Sequence, residues 1–392
     1  MATDSVSIVA AAHSRFGRLG DATLEDLIVD VTRAALADAE VAASEVDALF
    51  LGHFNSGLVP DGFAASLMLQ ADPELRFKPA TRCENACASG AAAIQAGINA
   101  ILSGSADLVL VVGAEKMTSN TTAQVTQALA GAGYQHDVEE AGLSFPQLFG
   151  LAAAQYEQLF QSPLAAMAAI AAKNHANAMA NPLAQMHKAM SFDHCNTVSD
   201  SNPCIAQPLR LTDCSLVTDG AAAIVLASAK RAKQFRRAVA IRSMVQVNDF
   251  LPLSQRNVLA FEGPQRAIRC ALDKAQVTLA DLDFAEVHDC FTIAELLIYE
   301  AMGLAPHGQG HRALEEGIVQ HGGTLPVNLS GGLKAKGHPV GATGVSMHAL
   351  AFAQLTGNPI GLAAPNAEFG LLFNMGGMAV ANYASVLQAR RA

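Results

Sequence analysis

The sequence predicts a duplicated α/β fold, because one helix–turn–strand unit is written twice at a fixed spacing. Ala35-Leu36-Ala37-Asp38-Ala39-Glu40-Val41, then Ser44 to Phe50, reads as a helix end, a turn and a strand. Ala271-Leu272-Asp273-Lys274-Ala275-Gln276-Val277, then Ala280 to Ala285, repeats it 236 residues later. Two further matches follow in the same order. Ala88-Ser89-Gly90 and its helix pair with Ala342-Thr343-Gly344 and its helix, and Asp219 to Leu226 pairs with Met375 to Val380. Helices alternate with strands in each half, so two similar α/β halves should pack pseudo-symmetrically. Residues 119–211 have no counterpart and read as an inserted loop domain. The expected organisation is 1–118 as the first part of the N-terminal half, 119–211 as the insert, 212–245 as the rest of that half, and 246–392 as the C-terminal half.

Composition fits two large cores. Of 392 residues 51% are hydrophobic and 15% charged, Trp is absent and aromatics are 5%. Ala and Gly dominate, which suits helices packed tightly on sheets. A net charge of −10 without a basic tract argues against nucleic acid as partner. No apolar run is long enough for a membrane span, and Met-Ala-Thr-Asp-Ser at the start lacks the basic and apolar regions of a leader. The final Arg390-Arg391-Ala392 is not a peroxisomal address. Seven cysteines, odd in number and without metal-ligand spacing, predict a reducing, cytoplasmic setting with neither a disulfide framework nor a metal site.

Taken along the chain, the first chemically suggestive residue is Cys87, in Asn85-Ala86-Cys87-Ala88-Ser89-Gly90 before the apolar helical pattern Ala91 to Leu102. A thiol at a helix N-terminus feels the positive end of the macrodipole, which lowers its pKa, and small neighbours leave room for a substrate. The same placement also suits a small buried hydrophobe. In the insert, Ala152 to Tyr156 and Met167 to Met179 have helical spacing, and His136, His175, His187 and His194 read as surface or hydrogen-bonded residues. Next, Val287-His288-Asp289-Cys290-Phe291 closes a strand pattern and opens a helical one. Last, Gly337-His338-Pro339 holds an imidazole in a loop that Gly and Pro restrict. Cys87, His288, Cys290 and His338 together make a nucleophile with acid–base partners. His348, on an Ala/Leu helix face, reads as a core or interface residue, and His53, at the repeat position of Asp289, is unassigned.

At this point the chain resembles the thiolase superfamily, and within it the sterol-carrier-protein-2 type. The resemblance rests on the Cys87 turn, Gly113-Ala114-Glu115-Lys116-Met117, Lys173-Asn174-His175-Ala176-Asn177 with Asn181-Pro182, Pro208-Leu209-Arg210-Leu211, Asp219-Gly220-Ala221-Ala222-Ala223, His288-Asp289-Cys290-Phe291 and Gly337-His338-Pro339. It spans nearly the whole sequence. It implies a five-layered αβαβα core with an inserted loop domain, and a homodimer or homotetramer. Commoner thiolases carry Asn-Glu-Ala-Phe in place of His288-Asp289-Cys290-Phe291, and a catalytic cysteine where this chain has Asn374-Met375-Gly376. The second thiol is therefore expected at Cys290. No sterol-carrier segment follows the last strand pattern, so lipid transfer is not expected.

The resemblance implies acyl transfer between coenzyme A thioesters through an acyl-Cys87 intermediate, with acetyl-CoA and 3-oxoacyl-CoA as partners, as in fatty acid metabolism and β-oxidation. Cys87 is the implied nucleophile, His338 its base and Cys290 the acid that protonates the enolate. His288 and His338 would face the enolate oxygen, and the backbone N–H groups of Cys87 and Gly376 would hold the tetrahedral intermediate. No cofactor is expected, since coenzyme A is a substrate. Cations for its phosphates are expected in the insert. Two other readings are a related carbon–carbon lyase or synthase, with a small partner presenting the substrate, and a non-catalytic scaffold subunit. Retention of all four side chains speaks against both.

Overall fold

The computed structural model describes residues 6–60 and 62–390. The expectations about a leader at residues 1–5 and about the terminal Arg391 and Ala392 lie outside the described residues. In the first half, β1 (Val6–His13), α1 (Leu24–Ala39), β2 (Ala48–Gly52), β3 (Ala80–Cys83), α2 (Ser89–Leu102) and β4 (Leu108–Glu115) precede the insert. The insert holds α3 (Thr122–Ala130), α4 (Phe145–Leu159), α5 (Leu164–Ala178), α6 (Phe192–Asn196) and the short hairpin β5 (Cys204–Ala206) and β6 (Leu209–Arg210). After it, β7 (Gly220–Ser228) completes the first half. The second runs β8 (Val239–Asn248), α7 (Glu262–Ala275), β9 (Phe284–Val287), α8 (Thr292–Met302), α9 (Arg312–Glu315), α10 (Thr343–Leu355), β10 (Phe369–Gly376) and β11 (Ala381–Ala389).

Local chemistry sets the repeated unit. α1 starts on Thr23, whose hydroxyl accepts from the Asp26 N–H while the Asp26 carboxylate accepts from the Thr23 N–H, satisfying two orphan donors. It ends on Glu40 in the left-handed region, φ 55°, and α7 ends the same way on Gln276, φ 59°. A single-turn helix and a strand follow in both halves, Ala43–Glu45 into β2 and Leu279–Asp281 into β9. The 236-residue repeat is thus a repeat of structure. So is the Ala88/Ala342 match, since α2 and α10 begin one residue later in each half.

The nine main strands form one sheet in the order β3-β2-β4-β7-β1-β8-β11-β10-β9. Among the described residues the halves join at a seam of two residue pairs, Ser7 with Ala240 and Ile8 with Val239. Outward from it the order is β1, β7, β4, β2, β3 on one side. On the other it is β8, β11, β10, β9 and then a lone parallel bridge from Ala285 to Val327. The counterpart of β7 is therefore β11. This corrects the expected match of Asp219–Leu226 with 375–380, which is the end of β10 and the turn into β11. Small-residue runs resemble one another by composition, and nothing periodic fixed the alignment. The expected 245/246 boundary also falls inside β8, which pairs along its length with β11, so topology assigns the whole strand to the second half.

Five layers result, as expected of the fold. α1 covers β1, β4 and β7 on one side, and α7 covers β8 and β11 on the other. α2 and α10 lie between the halves, and α10 touches strands of both. The central layer shares one core, in which Ile94, Val111, Ile224, Val345, Phe352 and Leu372 are fully or almost fully buried. In the insert, α5 packs on α8 and on the wide helical turn Gly332–Lys336, and Phe149 of α4 stacks on Phe291 at 4.5 Å.

The N-termini of α2 and α10 meet with no room for side chains. A Cβ on Gly90 would lie 2.9 Å from the Gly341 carbonyl oxygen, and one on Gly344 would lie 2.3 Å from the Ala91 nitrogen. Both obstacles are backbone, which cannot swing aside. Overpacking of this kind costs about 1–3 kcal/mol. Gly344→Ala should therefore lower the free energy of unfolding in urea by that amount, with a correspondingly lower midpoint; an unchanged midpoint would contradict the packing described.

Candidate active site

Each half delivers its chemistry at the start of its central helix. On the first-half side, Ala86 takes a left-handed conformation, φ 50°, and Cys87 follows in a turn that α2 continues. Ser89 ties the turn: its hydroxyl donates to the Ala86 carbonyl at 2.6 Å and accepts from the Asn85 N–H at 3.0 Å. The backbone N–H groups of Cys87 and Gly377 lie against the sulfur. Gly376 packs on the same turn, where a Cβ would lie 2.1 Å from the Asn85 oxygen. Beside the Cys87 N–H, the second N–H at the resting sulfur is that of Gly377, one residue beyond the Gly376 expected from sequence, where the chain turns at φ 61°.

On the second-half side, His338 sits in the loop before α10 and His288 follows β9. Their rings meet edge to face, with centroids 5.1 Å apart. Ligating atoms of Cys87, His288 and His338 all lie within 4.8 Å of one another, and both imidazole Nε2 atoms are buried without a partner. Three of the four expected side chains converge tightly. Cys290 is outside this trio but buried beside it: burial first, and next the Cys87 sulfur, raise its thiol well above the ordinary value. The Cys290 carbonyl accepts from the Ser215 N–H at 2.9 Å.

Hydrogen bonding fixes the state of His338. The Thr343 hydroxyl donates to the Pro339 carbonyl at 3.1 Å, so it accepts from His338 Nδ1–H at 2.7 Å. Nε2 then carries the lone pair that a base needs. Burial, and next the Lys336 ammonium, push this imidazole down to about 3. The same influences, together with His338, hold His288 well below its usual range. Cys87 moves the other way. Burial, and then Glu115, push its thiol up to about 12 against the two N–H groups that lower it. This corrects the expectation that the helix N-terminus would depress the pKa: desolvation outweighs the macrodipole. At neutral pH the pair is an uncharged thiol beside an uncharged imidazole.

Two buried carboxylates set the His338 loop. Glu115, closing β4, accepts from the N–H groups of Phe54, Asn55 and Gly341 at 2.9, 3.0 and 3.0 Å and pairs with His53 at 3.1 Å. Asp289 accepts from the N–H groups of Leu333 and Lys334 at 2.6 and 3.1 Å and from Asn174 Nδ2 at 2.7 Å. Glu295 binds Lys173 of the insert at 2.9 Å. Neither Glu115 nor Asp289 has a role that is evident from sequence. The signal was a charged residue ending the otherwise apolar run Leu108 to Ala114.

Other expectations fare unevenly. His348 is a core residue, bonded to the Gly344 carbonyl and Ser385 hydroxyl at 2.7 and 2.9 Å. His136 and His187 are exposed. His175 instead is buried, where burial and Lys334 hold it down to about 3. The insert is a poor source of free cations: Lys173 and Arg210 are buried in ion pairs with Glu295 and Asp213, leaving Lys188 at the surface.

Residues 6–230 match the family model described as thiolase, N-terminal domain, and residues 246–389 the thiolase C-terminal domain-like model. The chain is 34% identical over 374 residues to an acetyl-CoA acetyltransferase of Methanothermobacter thermautotrophicus, covering 95% of this chain and 96% of that protein. It is 31% identical over 387 residues to sterol carrier protein 2 of Bos taurus, covering 95% of this chain and 70% of that one. Among solved structures, the Ltp2-ChsH2(DUF35) aldolase superposes with a TM-score of 0.83 and human mitochondrial 3-ketoacyl-CoA thiolase in complex with CoA with 0.74. Both are 19% identical and covered over 99% of each chain, a likeness of fold.

The raised thiol makes a direct prediction. A group with a pKa of about 12 is about 10⁻⁵ thiolate at pH 7. Alkylation of Cys87 by iodoacetamide should accelerate about tenfold per pH unit between about pH 6 and 9. A rate independent of pH there would mean a preformed thiolate–imidazolium pair and contradict this reading.

Proposed function

The chain belongs to the thiolase family and is an acyltransferase of that family, and we propose that it moves acyl groups between coenzyme A thioesters through acyl-Cys87. The observation that carries the proposal is the tight meeting of the Cys87 sulfur with two imidazoles whose Nε2 atoms are buried without partners.

In the degradative direction, the Cys87 sulfur adds to the 3-oxo carbon of a 3-oxoacyl-CoA and its proton passes to His338 Nε2. The bond between carbons 2 and 3 then breaks. Its electron pair becomes the enolate of acetyl-CoA, which takes a proton from the Cys290 thiol. An incoming coenzyme A thiol returns a proton to Cys290 and attacks the acyl carbon, and the departing Cys87 sulfur recovers its proton from His338. Every proton is restored. In the reverse direction the Cys290 thiolate removes a proton from the acetyl-CoA methyl group, and its raised pKa makes it the stronger base toward so weak a carbon acid.

Charge develops on oxygen twice. Once His338 has taken the Cys87 proton, its Nε2–H can join that of His288 in serving the enolate oxygen. The N–H groups at Cys87 and at the Gly376–Gly377 turn serve the tetrahedral intermediate. Losing one such donor typically costs about 10²–10³ in rate. Thioester substrates of fatty acid metabolism, including β-oxidation, a homodimer or homotetramer, a cytoplasmic location and the absence of any cofactor or metal beyond coenzyme A as substrate complete the proposal. No helix among the described residues is long and apolar enough to cross a membrane.

Incubation with acetyl-CoA should add one acetyl group to the Cys87 peptide, and Cys87→Ala should show none. Cys290→Ser should still acetylate but lose nearly all carbon–carbon cleavage and formation. His338→Gln should slow acetylation by about 10²–10⁴. No adduct on the wild-type protein would overturn the proposal, and wild-type turnover by Cys290→Ser would remove Cys290 as the acid.

A further inference from the structure

Asn374 stands on β10 where the commoner thiolases have their second catalytic cysteine, and it is 2% exposed. Its amide nitrogen lies 3.2 Å from the Cys87 carbonyl oxygen and 2.9 Å from His288 Nδ1. A carbonyl oxygen can only accept, so the atom facing it must be the amide N–H₂. The second hydrogen of that group then points at His288 Nδ1, which must accept it. The amide oxygen has no partner and lies against Gly344, 2.7 Å from where a Cβ would be. The absence of a side chain there keeps the amide in this orientation.

From this geometry we infer that Asn374 is a positioning residue that fixes the tautomer of His288. With Nδ1 accepting, the single proton of the neutral imidazole resides on Nε2, the buried atom that faces the Cys87 and His338 cluster. His288 is thereby a permanent donor, whereas Thr343 makes His338 an acceptor. Two chemically identical rings, 5.1 Å apart, are assigned opposite duties by one amide and one hydroxyl. A neutral imidazole left to choose would populate both tautomers, and one of them would present a lone pair to a developing oxyanion. Asn374 also bonds the Cys87 carbonyl, so the same side chain aligns the donor ring with the nucleophile turn. The functional consequence rests on the acyl-transfer reading, but the tautomer itself does not.

Two measurements separate the two. Nitrogen-15 chemical shifts of labelled histidines should report His288 as neutral with Nε2 protonated in the wild-type protein, and as the opposite tautomer in Asn374→Asp, whose carboxylate accepts from Nδ1–H. Wild-type His288 with its proton on Nδ1 overturns the inference whatever the activity. In the second, Asn374→Asp and Asn374→Ala should lower carbon–carbon bond formation by about 10²–10³, with a much smaller effect on acetylation of Cys87. An amide at position 288 donates without any tautomer to fix. In a His288→Asn background the Asn374 substitutions should therefore cost little more, a strong non-additivity. If the single and double effects simply multiply, Asn374 acts only through packing and the inference fails.

Discussion

The contact on which everything else depends is the meeting of two helix N-termini, those of α2 and α10, with backbone against backbone. Gly90 and Gly344 leave no space for a Cβ, so the helices approach as closely as chains can. The turn before α2 carries Cys87 and the loop before α10 carries His338, so this packing brings a sulfur and an imidazole separated by 251 residues (338 − 87) into one site. Among the described residues the seam between the halves contributes two residue pairs of sheet. It is the central helical layer that sets how they face each other.

Duplication supplies the scaffold and divergence supplies the chemistry. Ser89 and Thr343 occupy the same place in the two repeats and do the same local work, each donating to a carbonyl just upstream. What their oxygens accept differs. Ser89 takes a backbone N–H and tightens the nucleophile turn, whereas Thr343 takes His338 Nδ1–H and leaves Nε2 as a base. His53 and Asp289, also repeat partners, diverge in charge, yet both belong to buried polar clusters that hold the His338 loop. Glu115 ends β4 as a carboxylate where β10 ends on Gly376 beneath Cys87. Burial of these groups in protein rather than water gives fixed dipoles their strength and keeps thiol and imidazole uncharged at rest.

The repeated units were readable from sequence because helix ends, caps and apolar strands follow local rules. The left-handed caps at Glu40 and Gln276 fall on the written repeat, and the three-residue turns after them do too. The third match slipped because small-residue runs carry no register. The side chains Cys87, His288 and His338 were legible through their flanking glycines and strand ends. Their electrostatics were not: the macrodipole argument for Cys87 is local, while its raised pKa comes from burial and from Glu115 on another strand. Asn374 was visible only as a missing cysteine. Its task depends on two partners, Cys87 and His288, brought from distant parts of the chain, which no local pattern reveals. The insert as a whole was expected to supply cations for phosphate, but folding pairs its Lys173 and Arg210 with Glu295 and Asp213.

The central claim is that the first half's sulfur and the second half's acid–base groups share one cavity. A short bifunctional thiol reagent such as dibromobimane, applied to the native protein and followed by peptide mass analysis, tests it most directly. One bridge joining the Cys87 and Cys290 peptides, blocked by prior incubation with acetyl-CoA, is the expected result. Separate single-ended adducts on the two cysteines, indifferent to acetyl-CoA, would contradict it.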